Sequence, residues 1–200
     1  MEDLKFFGKW SSNGIEVKDP GLKDYINLKP AIIPKTCGRF SQQQFYKSKT
    51  TIVERLIGKL MVPGHRGKKH VISSGRTVGK YDTAYNIVKK AFEIIENKLH
   101  LNPIEVLVRA IENAAIREEV ASYQVGGIIV RRAVVVSPQR RVDLALRMLV
   151  QAAYRKSYGK KASIAEALAD EIIGAYNADK SKSEAVAEKE RIEKEAEGAR

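Results

Sequence analysis

Five times between positions 51 and 179, apolar residues recur at intervals of three and four, the period of an amphipathic helix and not of a strand. The first stripe is Ile52, Val53, Leu56, Ile57, Leu60 and Met61, and the second is Ala84, Ile87, Val88, Ala91, Ile94 and Ile95. The third is Ile104, Leu107, Val108, Ile111 and Ala115, and the fifth is Ile164, Leu168 and Ile172. Between them, Val142, Ala145, Leu146, Leu149, Ala152 and Ala153 share one side of a helix; Arg140, Arg147, Gln151 and Arg155 share the other, with Leu144 as an apolar exception among them. Capping signals precede four stripes: Thr51 with Glu54, Asn102-Pro103 with Glu105, Ser137-Pro138, and Ser163 with Glu166. Such stripes are stable only against one another. The expected fold is therefore mainly α, a bundle of about six helices. The sixth is "SKSEAVAEKERIEKEAEGAR", nearly all helix formers but with hardly any large apolar residues, expected as an exposed helix or a frayed end.

One stretch breaks the helical period. Residues 117–136 are β-rich, and Gly126-Gly127 at their middle supplies the positive φ angles of a tight hairpin turn. The tip of this two-stranded arm is Val125, Gly126, Gly127 and Ile128, and period-two alternation puts Arg131 and Arg132 on opposite faces, so a protruding hairpin touches different partners on its two sides. Residues 1–47 have no sustained period, yet Phe6, Phe7, Trp10, Tyr25, Phe40 and Phe45 are too many aromatics for a solvated tail. They are read as an irregular N-terminal extension packed on something larger. The expected organisation is this extension, a bundle domain over 48–180 carrying the hairpin, and a helical tail over 181–200.

The charge is concentrated. Over the whole chain it is +12, but residues 62–80 hold Arg66, Lys68, Lys69, Arg76 and Lys80 with no acid. Residues 129–161 hold Arg131, Arg132, Arg140, Arg141, Arg147, Arg155, Lys156, Lys160 and Lys161 against Asp143 alone. A net of five and a net of eight account for all the excess, and the rest of the chain nearly balances. A loop, a hairpin and one helix face of the same sign, with few interleaved acids, suit a polyanion better than they suit ion-paired solubility. Arginine adds bidentate reach to phosphate oxygens. These residues, Lys160 and Lys161 apart, are the expected contacts to nucleic-acid phosphates, with Lys35 and Arg39, which bracket a Cys-Gly turn, as further candidates.

Other chemistries find little support. Cys37 is the single cysteine, and His65, His70 and His100 are scattered without ligand spacing, so no metal site and no cofactor is expected. "GRTVGKYD" is one residue short of a P-loop and carries Tyr81 where the magnesium-binding hydroxyl belongs. No nucleophile, base and acid stand in a recognisable order, and nothing argues for an enzyme. The first ten residues lack the apolar run of a signal peptide, and no stretch approaches the roughly 18 continuous apolar residues of a membrane span. The expectation is a cytoplasmic protein with no membrane partner.

Several motifs in order resemble the family of small-subunit ribosomal protein seven, of the archaeal and eukaryotic type. They are "FGKW" at 7–10, "DYINLKP" at 24–30, "IVERLIGKLM" at 52–61, "AFEIIE" at 91–96, "NPIEVLVRAIENA" at 102–114, "VSPQRRVDLALR" at 136–147 and "IAEALADEII" at 164–173. The resemblance implies a helical bundle that binds the head domain of small-subunit rRNA early in assembly, with its hairpin near exit-site tRNA and mRNA. It also implies neighbouring small-subunit proteins as partners, among them protein eleven near the C-terminal region. Carried over by position, the family's glycine-lysine falls on Gly79 and Lys80, and its post-hairpin arginines on Arg140 and Arg141. This chain departs from its relatives at Ala115-Ile116, where they often have Gly-Pro, at Tyr81, where they have a basic residue, in its first hairpin strand "EEVASYQV", which lacks their basic residues, and in its tail "EAVAEKERIEKEAEGAR", which is acidic on balance. Two rival readings are a DNA-binding regulator whose helix from Pro138 enters a major groove, and an RNA-processing enzyme. The first wants a helix-turn-helix linker where a valine-rich strand stands, and the second would show turnover of labelled RNA.

Overall fold

The apolar stripes fold as helices. The structure, a computed structural model, describes residues 4–31, 34–62 and 76–200. Among these, six α-helices flank one hairpin in the order α1 (Ile52–Leu60), α2 (Tyr81–Leu99), α3 (Pro103–Ala114), β1 (Glu118–Val125), β2 (Ile128–Val135), α4 (Pro138–Ser157), α5 (Ile164–Tyr176) and α6 (Glu184–Glu197). The mainly α class with a two-stranded antiparallel hairpin is as the sequence implies. α5 is the central helix, packed against α2, α3 and α4, and its Leu168 and Ile172 lie wholly inside with Leu107, Ile111, Leu146 and Leu149.

The caps differ in detail from the sequence pattern. At α5 the box closes both ways: Ser163 Oγ accepts from Ala165 N and Glu166 accepts from Ser163 N, each at 3.1 Å. At α1 Thr51 Oγ1 accepts from Glu54 N at 3.2 Å, but the Glu54 carboxylate takes the amide and hydroxyl of Thr36, at 2.6 and 2.7 Å. A distant segment with two donors outcompetes the local one. Ser137 stands at the head of α4 without a side-chain cap bond; Pro138, next in line, has no N–H to offer.

The N-terminal segment packs on the bundle itself. Phe7 and Trp10 set their rings edge-on against Phe92 of α2, centroids 5.8 and 5.7 Å away, and Leu22 and Ile26 are buried further along. That contact shifts the buried face of α2 from the expected stripe: Phe92 is enclosed, while Ile87 and Ile94 are only half-buried at its margins.

α6 is neither exposed nor frayed, contrary to expectation. Ala185, Val186 and Ala196 are buried, and Ser183 caps the helix by accepting from Val186 N at 3.3 Å. The turn into α6 passes so close to α5 that a Cβ on Gly174 would stand 3.1 Å from Lys182 C and Ser183 N. Beneath it the fully buried Glu171 accepts from Ser183 Oγ at 2.7 Å, from Ala185 N at 2.9 Å and from Lys156 Nζ at 2.5 Å. The docking relies on small residues and a buried carboxylate, which leave no large apolar stripe to read.

Candidate nucleic-acid interface

The hairpin is an arm held at its base and free along its outer half. Its register pairs Glu118 with Val135 and Val125 with Ile128, and Gly126 and Gly127 turn the chain at φ 55° and 86°. At the base, Arg117 N donates to Glu193 of α6 at 2.9 Å, Arg200 holds Glu118 at 2.7 and 2.8 Å, and Arg140 of α4 holds Glu119 through two bonds of 2.8 and 2.9 Å. Beyond Ala121 both strands are exposed, with Ile128 and Ile129 each 70% accessible. Ser122 faces Arg131 and Ala121 faces Arg132 across the ladder, so the two arginines do lie on opposite faces, both exposed. With Arg132 go Tyr123, Val125, Ile128 and Val130, an apolar face; with Arg131 go Ser122, Gln124 and Ile129, a mixed one.

The basic helix face is less open than the acid count suggests. Arg140 pairs with Glu119, Arg141 with Asp19 at 2.7 Å, Arg155 with Glu184, and Lys156 with Glu171 and the Lys182 carbonyl. The acids come from remote parts of the chain, which a count within 129–161 cannot see. Arg141 is mainly structural: its side chain is only 12% exposed and ties α4 to the N-terminal segment. Burial opposes ionisation of Asp19, but hydrogen bonds from Arg141 and Gly21 N and the Arg141 charge outweigh it, holding the carboxyl below its ordinary range. Arg131, Arg132 and Arg147 have no carboxylate partner among the described residues, and with Lys160 and Lys161 they are exposed.

In the first basic region, Lys80 and Arg76 are exposed at the entrance to α2, while Arg66, Lys68 and Lys69 lie outside the described residues. Arg39 is exposed on a 3-10 turn (Arg39–Ser41), and Lys35 sets its ammonium 5.1 Å above the Tyr81 ring. Tyr81 itself donates its hydroxyl to Pro34 O, and burial pushes its pKa well up, so it acts as a structural tie and not as a substitute cation.

A second cluster escaped the sequence reading. Asp143 of α4 sits among Lys47 Nζ at 2.7 Å, Arg55 Nη2 at 3.3 Å and Lys59 Nζ at 3.9 Å. Arg55 also donates to Tyr25 O at 2.8 Å. Burial raises the Asp143 pKa, but the Lys47 hydrogen bond and the three cations carry it below the ordinary value. Burial lowers that of Lys59, and repulsion from Lys47, Arg147 and Arg55 adds to the effect against the attraction of Asp143. The sequence does hold a signal here: Arg55 and Lys59 stand four apart beside the α1 stripe, and Asp143 is the one acid of its segment. Lys59 joins this cluster to Arg140, Arg147, Gln139 and Ser137 in a groove of about 470 Å³ at the head of α4. There the first N–H groups of a 20-residue helix add their partial positive charge.

This arrangement presents fixed positive charge along one groove and a basic, partly apolar arm beside it. It can bind phosphates and bases. Among the described residues no cluster of histidine, cysteine and carboxylates is grouped to hold a metal, and no helix is long and apolar enough to cross a membrane.

Sequence comparisons give a consistent result. The family profile described as Ribosomal protein S7p/S5e matches residues 22–200. The chain is similar to the small ribosomal subunit protein uS7 of Nanoarchaeum equitans, 51% identical over 98% of this chain and 99% of that one. It is also similar to the proteins of that name from Archaeoglobus fulgidus, 48% identical over 100% and 96% of the two chains, and Methanothrix thermoacetophila, 47% identical over 98% and 100%.

Proposed function

The chain belongs to the ribosomal protein S7p/S5e family, and from that premise we propose that it is a structural, RNA-binding constituent of the small ribosomal subunit in the cytoplasm. Its RNA is the head domain of small-subunit rRNA, which it engages early and so nucleates folding of the head. Its hairpin lies by the exit site, near tRNA and mRNA, and its C-terminal region faces neighbouring small-subunit proteins, protein eleven among them. It performs no catalysis.

The observation that carries this reading is the groove at the head of α4, where exposed Arg147 stands with Lys59, taken together with the exposed arm that bears Arg131 and Arg132. Phosphate contacts there fix orientation; among the described residues Arg39, Arg131, Arg132 and Arg147 have guanidinium forks open to bidentate bonds. Lys35, Arg39, Arg76, Lys80 and the basic residues at 66, 68 and 69 extend the same positive surface. Arg141 and Lys156 support it by fixing α4, since their own charges are already met.

The test is chemical footprinting of the full chain on isolated head-domain rRNA. A compact set of protections in that domain at nanomolar protein is expected, and equal binding to unrelated RNA of the same length would overturn the reading. Deleting residues 124–130 and closing the strands should leave both the bundle and the footprint largely intact, because the arm's outer half is exposed along both strands. Ribosomes carrying the deletion should lose deacylated tRNA from the exit site faster; an unchanged rate removes the hairpin from that role.

A further inference from the structure

We propose that the cleft between α1 and the segment preceding it receives one unstacked nucleobase of the bound RNA. The proposal rests on the RNA-binding reading above and adds a specific subsite to it. The cleft encloses about 420 Å³, within the roughly 300–1,000 Å³ of pre-formed small-molecule sites. The apolar part of its lining is Phe40, Met61 and Val62, while the Tyr81 ring is already covered by the Lys35 ammonium 5.1 Å above it. Phe40 and Val62 are 39% and 52% exposed, large side chains kept at a surface and not in the core.

Much of the remaining lining is cationic. Lys35, Lys47, Arg55 and Lys59 line the cleft against Glu54, with Asp143 bound behind, so two positive charges remain uncompensated. Neither carboxylate is idle: Glu54 is bound by Thr36, and Asp143 is shared by three cations. Arg55 has a side chain only 2% exposed, and its Nε is buried without an acceptor. An apolar platform and surplus cations match two parts of a splayed nucleotide, the base face and the phosphate. A nucleotide within a continuous duplex presents no free base face, so the occupant is a base from a loop, bulge or strand end.

Gly58 gives a clean way to close the cleft. It lies on α1 in the lining, and a Cβ there meets nothing within 4 Å. Gly58→Leu therefore fills the space, removes no charge, and replaces a poor helix former with a good one. The experiment compares wild type, Gly58→Leu and Phe40→Ala, each as the full chain on isolated head-domain rRNA at one salt concentration, by affinity and by base-specific chemical probing. Wild type is expected to protect the edge of one unpaired nucleotide. Both variants should lose that protection alone, with affinity about tenfold weaker, as for loss of one stacked base, while the other protections and the salt dependence stay. Phe40→Ala removes an exposed ring, so it answers the question even if Gly58→Leu distorts α1. If both variants keep the wild-type footprint and affinity, the cleft takes no base although the RNA-binding reading stands. If wild type leaves no footprint, that reading falls first.

Discussion

At the scale of single residues, the chain divides its arginines and lysines into those that hold the fold and those left for a partner. Sequence alone does not make that division. Arg140, Arg141 and Arg147 sit within eight residues of one another, yet Arg140 and Arg141 bind carboxylates from β1 and the N-terminal segment, and Arg147 binds none that is described. Asp143 decides the most sensitive case, because Arg55 beside it is nearly sealed from solvent. Asp143→Asn should destabilise the fold by about 2 kcal/mol at neutral pH, below the 3–5 of a fully buried broken pair because Asp143 is itself partly exposed. Since the folded pKa of Asp143 is depressed, its contribution is complete above the unfolded value near 4 and fades as pH falls through the lower, folded one. Urea midpoints of wild type and Asp143→Asn should therefore converge below about pH 4. A gap that persists unchanged at pH 2 would mean that the carboxylate's charge is irrelevant.

At the scale of elements, the helices with large apolar stripes were legible because their period and caps are local, and Ser163 with Glu166 closed as written. α6 was not legible. What holds it is Val186, two alanines and a carboxylate 12 residues upstream of the capping serine, a pattern that exists only once the chain has folded back. Its placement has a mechanical consequence. Glu193 receives the amide at which the hairpin begins, and Arg200 holds the first residue of β1, so α6 braces the arm against the bundle. The paired substitution Glu193→Ala and Arg200→Ala removes the brace without touching Val186. Amide exchange at Arg117 and through the base of β1 should accelerate by about tenfold, equivalent to roughly 1.4 kcal/mol of local stability. Exchange in α1 to α3 should not change. Acceleration across the whole molecule would show instead that α6 and the bundle unfold as one.

At the scale of the whole molecule, part of the excess charge recognised in the sequence is matched by acids from other elements of the chain. Two triple substitutions separate the parts. Arg131, Arg132 and Arg147 are exposed and carry no described carboxylate, so changing all three to glutamine removes charge from the surface and nothing from the fold. Arg140, Arg141 and Arg155 each hold an acid from another element, so the same change there strands Glu119, Asp19 and Glu184. Each phosphate contact contributes about 0.7 to 0.9 to the slope of log affinity against log salt. The first variant should thus lower the slope by about two to three and keep its melting temperature. The second should lower the slope by less and lose stability, chiefly at the half-buried Arg141 and Arg155, since the exposed Arg140 pair contributes little. Affinity titrations over a range of salt, run beside thermal melts, distinguish the outcomes. If the second variant proves the more salt-insensitive of the two, the internal ion pairs open when RNA arrives, and the arginines that hold the free protein together are the ones that bind.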